Sequence, residues 1–280
     1  MSFEPRAAEA LDYFPCRYGS SRTLFRGPRR RAEGDYIAFL GGTETYGKFV
    51  PRPFPGLVED SIGVPCVNLG VVNAGPDFFL NDDSVLGVAR GARAVVLQVP
   101  GAQNLSNRYY SVHPRRNDRF LKASRLMRMV FRDRDFTDFN FTGHLIRSLR
   151  TDGGDERFAM MVAELQEAWV GRMSALIASI ERPVVLLWMA DHAPAPGPAT
   201  GSAEPMFIGR DTLAALRPSV AALVEVTPGQ AARDAGNAGK IFNDADRGAA
   251  TELPGPLFHA DVAGALGPVV SDILARDGGA

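Results

Sequence analysis

Tyr36-Ile-Ala-Phe-Leu-Gly-Gly-Thr-Glu-Thr-Tyr-Gly47 sets a short apolar run against an abrupt stop of two glycines, two hydroxyls, a carboxylate and a further glycine. Tyr36 to Leu40 is β-favouring and too short for a helix, so it reads as a buried strand. Gly41, Gly42 and Gly47 permit backbone geometry that a Cβ resists, so the residues after Leu40 read as the loop at the strand's carboxyl end. In an open α/β sheet such loops gather where ligands bind. A tight structural turn is the competing reading.

The same alternation repeats along the chain. Pro53 to Ile62 spaces Phe54, Leu57, Val58 and Ile62 as a short helix opened by proline. Val64 to Gly70 is a second apolar run ending in Asn68, Gly70, Asn73 and Gly75, and Pro76 begins another helix. Ala94-Val-Val-Leu-Gln-Val99 and Val184-Val-Leu-Leu-Trp-Met189 are continuous, as strands covered on both faces are. Val220 to Val226 supplies a fifth strand and Asp261 to Leu274 a last helix. Arg157 to Ile180 carries apolar residues at 161, 162, 165, 169, 173, 176, 177 and 180, an amphipathic helix. The fold class is therefore α/β, a mainly parallel five-stranded sheet of expected order 2-1-3-4-5. Residues 1–33 read as an arm packed on the domain through its aromatics. Residues 108–155 read as a helical, cap-like insertion, with helices at Leu121 to Val130 and Thr142 to Arg150.

Composition limits the function classes. The chain has 280 residues, 45% hydrophobic and 22% charged, ordinary for a soluble globular domain. A net charge of −1 gives no global field for nucleic acid or anionic membrane. Two cysteines are too few for a disulfide scaffold, no His/Cys cluster has zinc spacing and no Walker loop occurs, so neither metal nor cofactor is expected. The start lacks a signal-peptide pattern and no apolar run approaches a membrane span, which places the chain in the cytoplasm. The sequence does not give an oligomeric state.

Four blocks in order resemble the SGNH/GDSL-like hydrolase superfamily, whose fold is three-layered and flavodoxin-like. Gly41-Gly-Thr-Glu-Thr-Tyr-Gly47 is similar to the family's Gly-Asp-Ser-x-Thr-x-Gly, with Thr43 at the nucleophilic serine. Asn68 to Gly75 resembles the second block, with Asn73 at the glycine whose N–H holds an oxyanion and Gly75 two residues on. Pro100 to Asn104 puts Asn104 near the oxyanion asparagine. Phe258-His-Ala-Asp-Val-Ala-Gly264 puts His259 at the base, and Pro256 stands where the family has its acid. The resemblance implies a Thr43–His259 dyad, with donors from Asn73, Gly75 and Asn104, cleaving or transferring an acyl ester of a sugar or polar metabolite. An alcohol needs a nearby base and amide donors for this chemistry. The blocks from Gly41 to Val50 and from Gly101 to Tyr110 also resemble an uncharacterised bacterial domain family.

Glu44 and Thr45 beside Thr43, and the run Asn107, Arg108, His113, Arg115 and Arg116, are candidate substrate-binding residues. The arginines could grip an anionic group while Tyr109 and Tyr110 stack on a sugar; alternatively they pair with Asp118, Asp133, Asp135 and Asp138. Asp191-His192 after the fourth strand is a second acid/base candidate. The alternative to an enzyme is an inactive SGNH-like protein that binds an anionic glycan or metabolite.

Overall fold

The computed structural model describes residues 11–150, 156–197, 199 and 201–277. The first ten residues of the expected arm and 151–155 of the expected insertion lie outside the described residues.

The strands are β1 (Ile37–Leu40), β2 (Cys66–Asn68), β3 (Ala94–Gln98), β4 (Tyr110–His113), β5 (Arg116–Ala123), β6 (Val184–Met189) and β7 (Ala222–Val226). The helices are α1 (Thr43–Tyr46), α2 (Phe54–Ile62), α3 (Pro76–Leu80), α4 (Asp83–Gly91), α5 (Arg125–Val130), α6 (Thr142–Arg150), α7 (Glu156–Ile180), α8 (Arg210–Leu216), α9 (Gln230–Ala235), α10 (Arg247–Glu252) and α11 (Pro256–Asp277). β2-β1-β3-β6-β7 form one sheet, parallel throughout. This is the expected order, β6 and β7 being its fourth and fifth strands.

Successive strand residues face opposite layers, as the pleat requires. Ala38, Leu40, Val95, Leu97, Leu186 and Trp188 join a core that includes Trp169 and Leu176 of α7. Ile37, Phe39, Val96, Val185 and Leu187 join a second core with Phe54 of α2 and Val262 and Leu266 of α11. The sheet thus lies between two helical layers, the expected three-layer α/β arrangement. The stretch Asp244–Arg276 is long and apolar enough to cross a membrane by composition, which the sequence reading did not anticipate. In this fold Phe258, Val262, Leu266 and Val270 of that stretch are buried against the second layer.

The stretch expected as a helical insertion is helical in part: the helix expected at Thr142 to Arg150 forms with those bounds as α6, but the rest differs. It opens with an antiparallel pair, β4 and β5, and the helix expected from Leu121 starts only at Arg125. Ser124 sets that boundary, because its side chain accepts the Met127 N–H at 3.1 Å as an N-cap. Asn117, fully buried at the start of β5, accepts the N–H groups of Gly75 (2.9 Å) and Phe78 (3.0 Å). One amide side chain thereby ties the hairpin to the beginning of α3.

Residues 11–33 lie against the domain. Cys16 and Phe25 pair as an antiparallel bridge, and Tyr18 and Phe25 enter the first core. Arg26, 5% exposed, donates to the carbonyls of Tyr46, Gly47, Val50 and Pro51.

Candidate functional site

β1 delivers the chain into the site through Gly41. A Cβ there would stand 2.1 Å from Thr45 Oγ1 and 2.5 Å from Gln98 Oε1, so only glycine allows this approach. α1 begins directly afterwards, and Gln98, the one polar residue of β3, holds it. Gln98 Oε1 accepts from the N–H groups of Gly42 (3.1 Å) and Thr45 (3.2 Å) and from Thr45 Oγ1 (2.5 Å). Its amide nitrogen donates to Glu44 Oε2 at 2.7 Å.

A cavity of about 370 Å³ opens over these strand ends. Thr43, Asn73, Gln98, Gln103 and Asn104 line it with hydroxyl and amide groups, and Glu44, Lys48, Glu204 and Glu252 with ionisable groups. A second cavity, about 550 Å³, shares Glu44, Met189, Glu204, Glu252 and Leu253 with the first. Three of the family-like blocks therefore meet at one place: Thr43, Asn73 and Asn104.

Their bonds are specific. The Thr43 hydroxyl donates to Asn73 Oδ1 and accepts the Asn73 backbone N–H, both at 3.1 Å. Asn73 Nδ2 donates to Asp118 Oδ2 at 3.1 Å. An ionised carboxylate can only accept, so Asp118 turns the amide nitrogen toward itself and leaves the oxygen for Thr43. Asn73 has φ +56°, a left-handed conformation asparagine tolerates better than most residues. The N–H that the resemblance assigns to an oxyanion is thus bonded to the would-be nucleophile.

Of the other expected donors, Gly75 is engaged and Asn104 is only weakly so. Gly75 N–H caps onto Asn117, and the residue serves packing, since a Cβ would meet Asn104 O at 1.9 Å. Asn104 Oδ1 accepts from Thr142 Oγ1 at 2.7 Å. Its Nδ2 reaches only Asn73 O, at 3.5 Å, so it keeps donor capacity toward the cavity.

His259 does not meet Thr43. It is 1% exposed, inside the second core's edge, stacked on Phe54 with ring centroids 5.7 Å apart. Its Nδ1 accepts the Phe54 N–H at 3.1 Å. A neutral ring with Nδ1 accepting carries its proton on Nε2, the atom from which the implied base would have to act. Burial, then the charges of Arg26 and Lys240, push its pKa down to about 3. The implied dyad is corrected accordingly: a proton taken by this imidazole would be desolvated and would set an N–H against an N–H.

The remaining candidates disperse. Glu44 lines both cavities. Thr45 is fully buried and spends its hydroxyl on Gln98. Asn107 Oδ1 accepts the N–H groups of Tyr109 (2.8 Å) and Tyr110 (3.1 Å), holding the turn into β4. Arg108 pairs with Glu164 at 3.3 Å over a separate, shallower depression. His113 accepts the Arg115 N–H at 3.2 Å; Arg115 is exposed in the β4–β5 turn and Arg116 at the start of β5. None of these five lines the first cavity, so the expected arginine cover over it is not what the fold builds. Tyr109 and Tyr110 are buried and unavailable for stacking on a sugar; the Tyr110 hydroxyl donates to Gln103 O at 2.7 Å. Asp191 and His192 pair at 2.6 Å, with Asp191 on the second cavity.

Sequence reasoning missed Gln98, Gln103 and Glu204. Gln98 had a signal, a lone amide ending an apolar strand. Glu204 lies in a loop-like stretch rich in Pro, Gly and Ala and had none. The residue as a whole is exposed, but its carboxyl end is packed among protein atoms, which pushes its pKa up to about 7, with the charge of Glu44 adding to the rise and bonds from Met206 N–H and Gln103 opposing it. The residue keeps open surface toward the cavities, and water there tempers the effect.

The family described as Domain of unknown function (DUF6473) matches residues 1–274. The chain belongs to this family. No curated protein matches this DUF6473 chain. Among solved structures it is similar to a variant of an acetyl-xylooligosaccharide esterase from Geobacillus Stearmophilus, with 11% identity and a TM-score of 0.45 over 86% of this chain and 94% of that one. It is also similar to a carbohydrate esterase family 2 enzyme with a carbohydrate-binding domain from Corynascus thermopiles (Myceliophthora fergusii), with 14% identity and a TM-score of 0.41 over 92% and 71%. A third, a GDSL-like lipase from Bacteroides ovatus, has 13% identity and a TM-score of 0.41 over 91% and 58%. The first two of these are esterases and the third is a GDSL-like lipase.

Proposed function

We propose that this DUF6473 protein binds an uncharged, hydroxyl-rich small molecule, such as a sugar unit, in the cavity over Thr43, without Thr43–His259 catalysis. The observation that carries this reading is the two-sided clamp of the Thr43 hydroxyl by Asn73. A nucleophile needs a base on its proton, and here that proton is held by an amide carbonyl, which cannot accept it as a base does. The lining supports a sugar-like ligand: amides and hydroxyls supply paired donors and acceptors, and Val72, Val99 and Met189 supply apolar wall. Glu44 and Glu252 by themselves outnumber Lys48 there, so the anionic preference read from Arg108, Arg115 and Arg116 is not carried into this reading.

Ester hydrolysis or acyl transfer on a sugar is the second reading, favoured by the convergence of Thr43, Asn73 and Asn104 on one cavity. Ligand screening by thermal shift, over neutral sugars, sugar acids and amino sugars, tests the first. Turnover of acetylated sugars by the wild-type protein, lost in Thr43→Ala, would replace it with the second.

A further inference from the structure

Gln103 is 5% exposed, and its side-chain oxygen Oε1 has no hydrogen-bond partner. A buried acceptor left unmatched is costly, so its surroundings call for a donor. The other end of the same amide is engaged: Gln103 Nε2 donates to Glu204 Oε1 at 2.6 Å. A Cβ built on Gly101 would stand 2.2 Å from Gln103 Oε1 and 2.7 Å from Glu204 Oε2, so the orphan oxygen and the second carboxyl oxygen border the same glycine. The Met206 N–H, bonded to Glu204 Oε2 at 3.0 Å, serves the glutamate and not the amide.

An amide set edge to edge with a carboxyl group offers one donor and one acceptor. An ionised carboxylate offers two acceptors, so whichever way the amide is turned, one contact is oxygen against oxygen. A carboxylic acid supplies the missing hydrogen. We propose that Glu204 is un-ionised in the folded protein, with its Oε2–H donated to Gln103 Oε1 in a cyclic acid–amide pair, and that this proton competes with cationic ligands for the cavity.

The charges around Glu204 agree. On the first cavity they are Glu44 of α1, Lys48 after it and Glu252 of α10; on the second, Asp191 after β6, Arg233 of α9 and Lys240. Among the described residues no Lys, Arg or His comes within ion-pair distance of Glu204 or Glu44. Glu44 repels a second negative charge. With its proton, Glu204 lets the cavity hold an uncharged ligand without a counter-cation. An ammonium group on a ligand favours the ionised form and drives that proton into solvent.

The selectivity claim deepens the proposed binding function, whereas the protonation claim stands without any ligand. The experiment therefore has two arms. Carbon-13 NMR of ligand-free protein, with the Glu204 side-chain carboxyl assigned by its absence in Glu204→Gln, should show an un-ionised carboxyl at pH 6. Glu204→Gln keeps an amide–amide pair with Gln103 and so is expected to fold. A Glu204 carboxyl ionised at pH 6 overturns the protonation claim whatever binds. Calorimetry with glucosamine against glucose is the second arm. Glucosamine affinity should fall about tenfold per pH unit as pH drops below the Glu204 pKa, with proton release on binding. Glu204→Gln should abolish that dependence. A glucosamine affinity that does not change with pH overturns the competition, and binding of neither sugar counts against the proposed function alone.

Discussion

Asn73 holds the Thr43 hydroxyl from both sides, its backbone N–H donating to Oγ1 and its side-chain carbonyl accepting from it, each at 3.1 Å. The amide is fixed in turn by Asp118. This arrangement satisfies a hydroxyl and does not activate one.

Thr43→Ala strands the Asn73 N–H and carbonyl and should cost about 1–2 kcal/mol of stability, read by urea denaturation. Thr43→Ser keeps both bonds and should fall within about 0.5 kcal/mol of wild type. Neither variant, nor the wild type, should hydrolyse short acyl esters above the uncatalysed rate. Serine-dependent turnover in Thr43→Ser would show that the clamp does not prevent chemistry.

His259 links stability to acid. Its pKa, about 3 when folded against about 6.5 unfolded, means that the unfolded chain binds the extra proton between those values. Stability is therefore complete above about pH 6.5 and declines as pH falls toward 3, by up to about 1.4 kcal/mol per pH unit. His259→Asn, which keeps an acceptor for the Phe54 N–H, should flatten that decline in denaturant titrations run from pH 7 to pH 4. An unchanged slope in the variant would place the acid sensitivity elsewhere.

Asn117→Ala removes the acceptor from the N–H groups of Gly75 and Phe78 in a fully buried place. The expected loss is about 2 kcal/mol. Hydrogen exchange should accelerate at the start of α3 and through β4–β5 before it does so in the central sheet. Uniform acceleration across the chain would mean that the side chain does not act as a local tie.

Arg26→Met should be among the most damaging single changes outside the cores. It withdraws the guanidinium from four carbonyls at a site 5% exposed, an expected loss of about 3 kcal/mol. Arg26→Lys should recover part of it, because an ammonium can reach only some of those oxygens. Equal stability of the two variants in urea would contradict this.

The sheet was legible in the sequence because its strands are short, β-rich and covered on both faces. Val184–Met189 even has the same limits in the structure. The hairpin was not, because Arg116 to Ala123 shows burial at Asn117, Phe120 and Ala123, a spacing that also suits a helix. Thr43, Asn73 and Asn104 were found through the order of the blocks, which local sequence preserves. The fate of His259 depends on Phe54, 205 residues away, and no local pattern encodes that bond. Glu204 depends on Gln103 in the same way, across 101 residues.

The arm through Arg26 has a mechanical consequence for the rim of the first cavity. The guanidinium grips the carbonyls of Tyr46 and Gly47 directly before Lys48, which lines that cavity. A chain begun at Gly34 would retain every strand of the sheet, yet the segment leaving α1 would lose its strut. Ligand affinity would then drop before the sheet itself loosened.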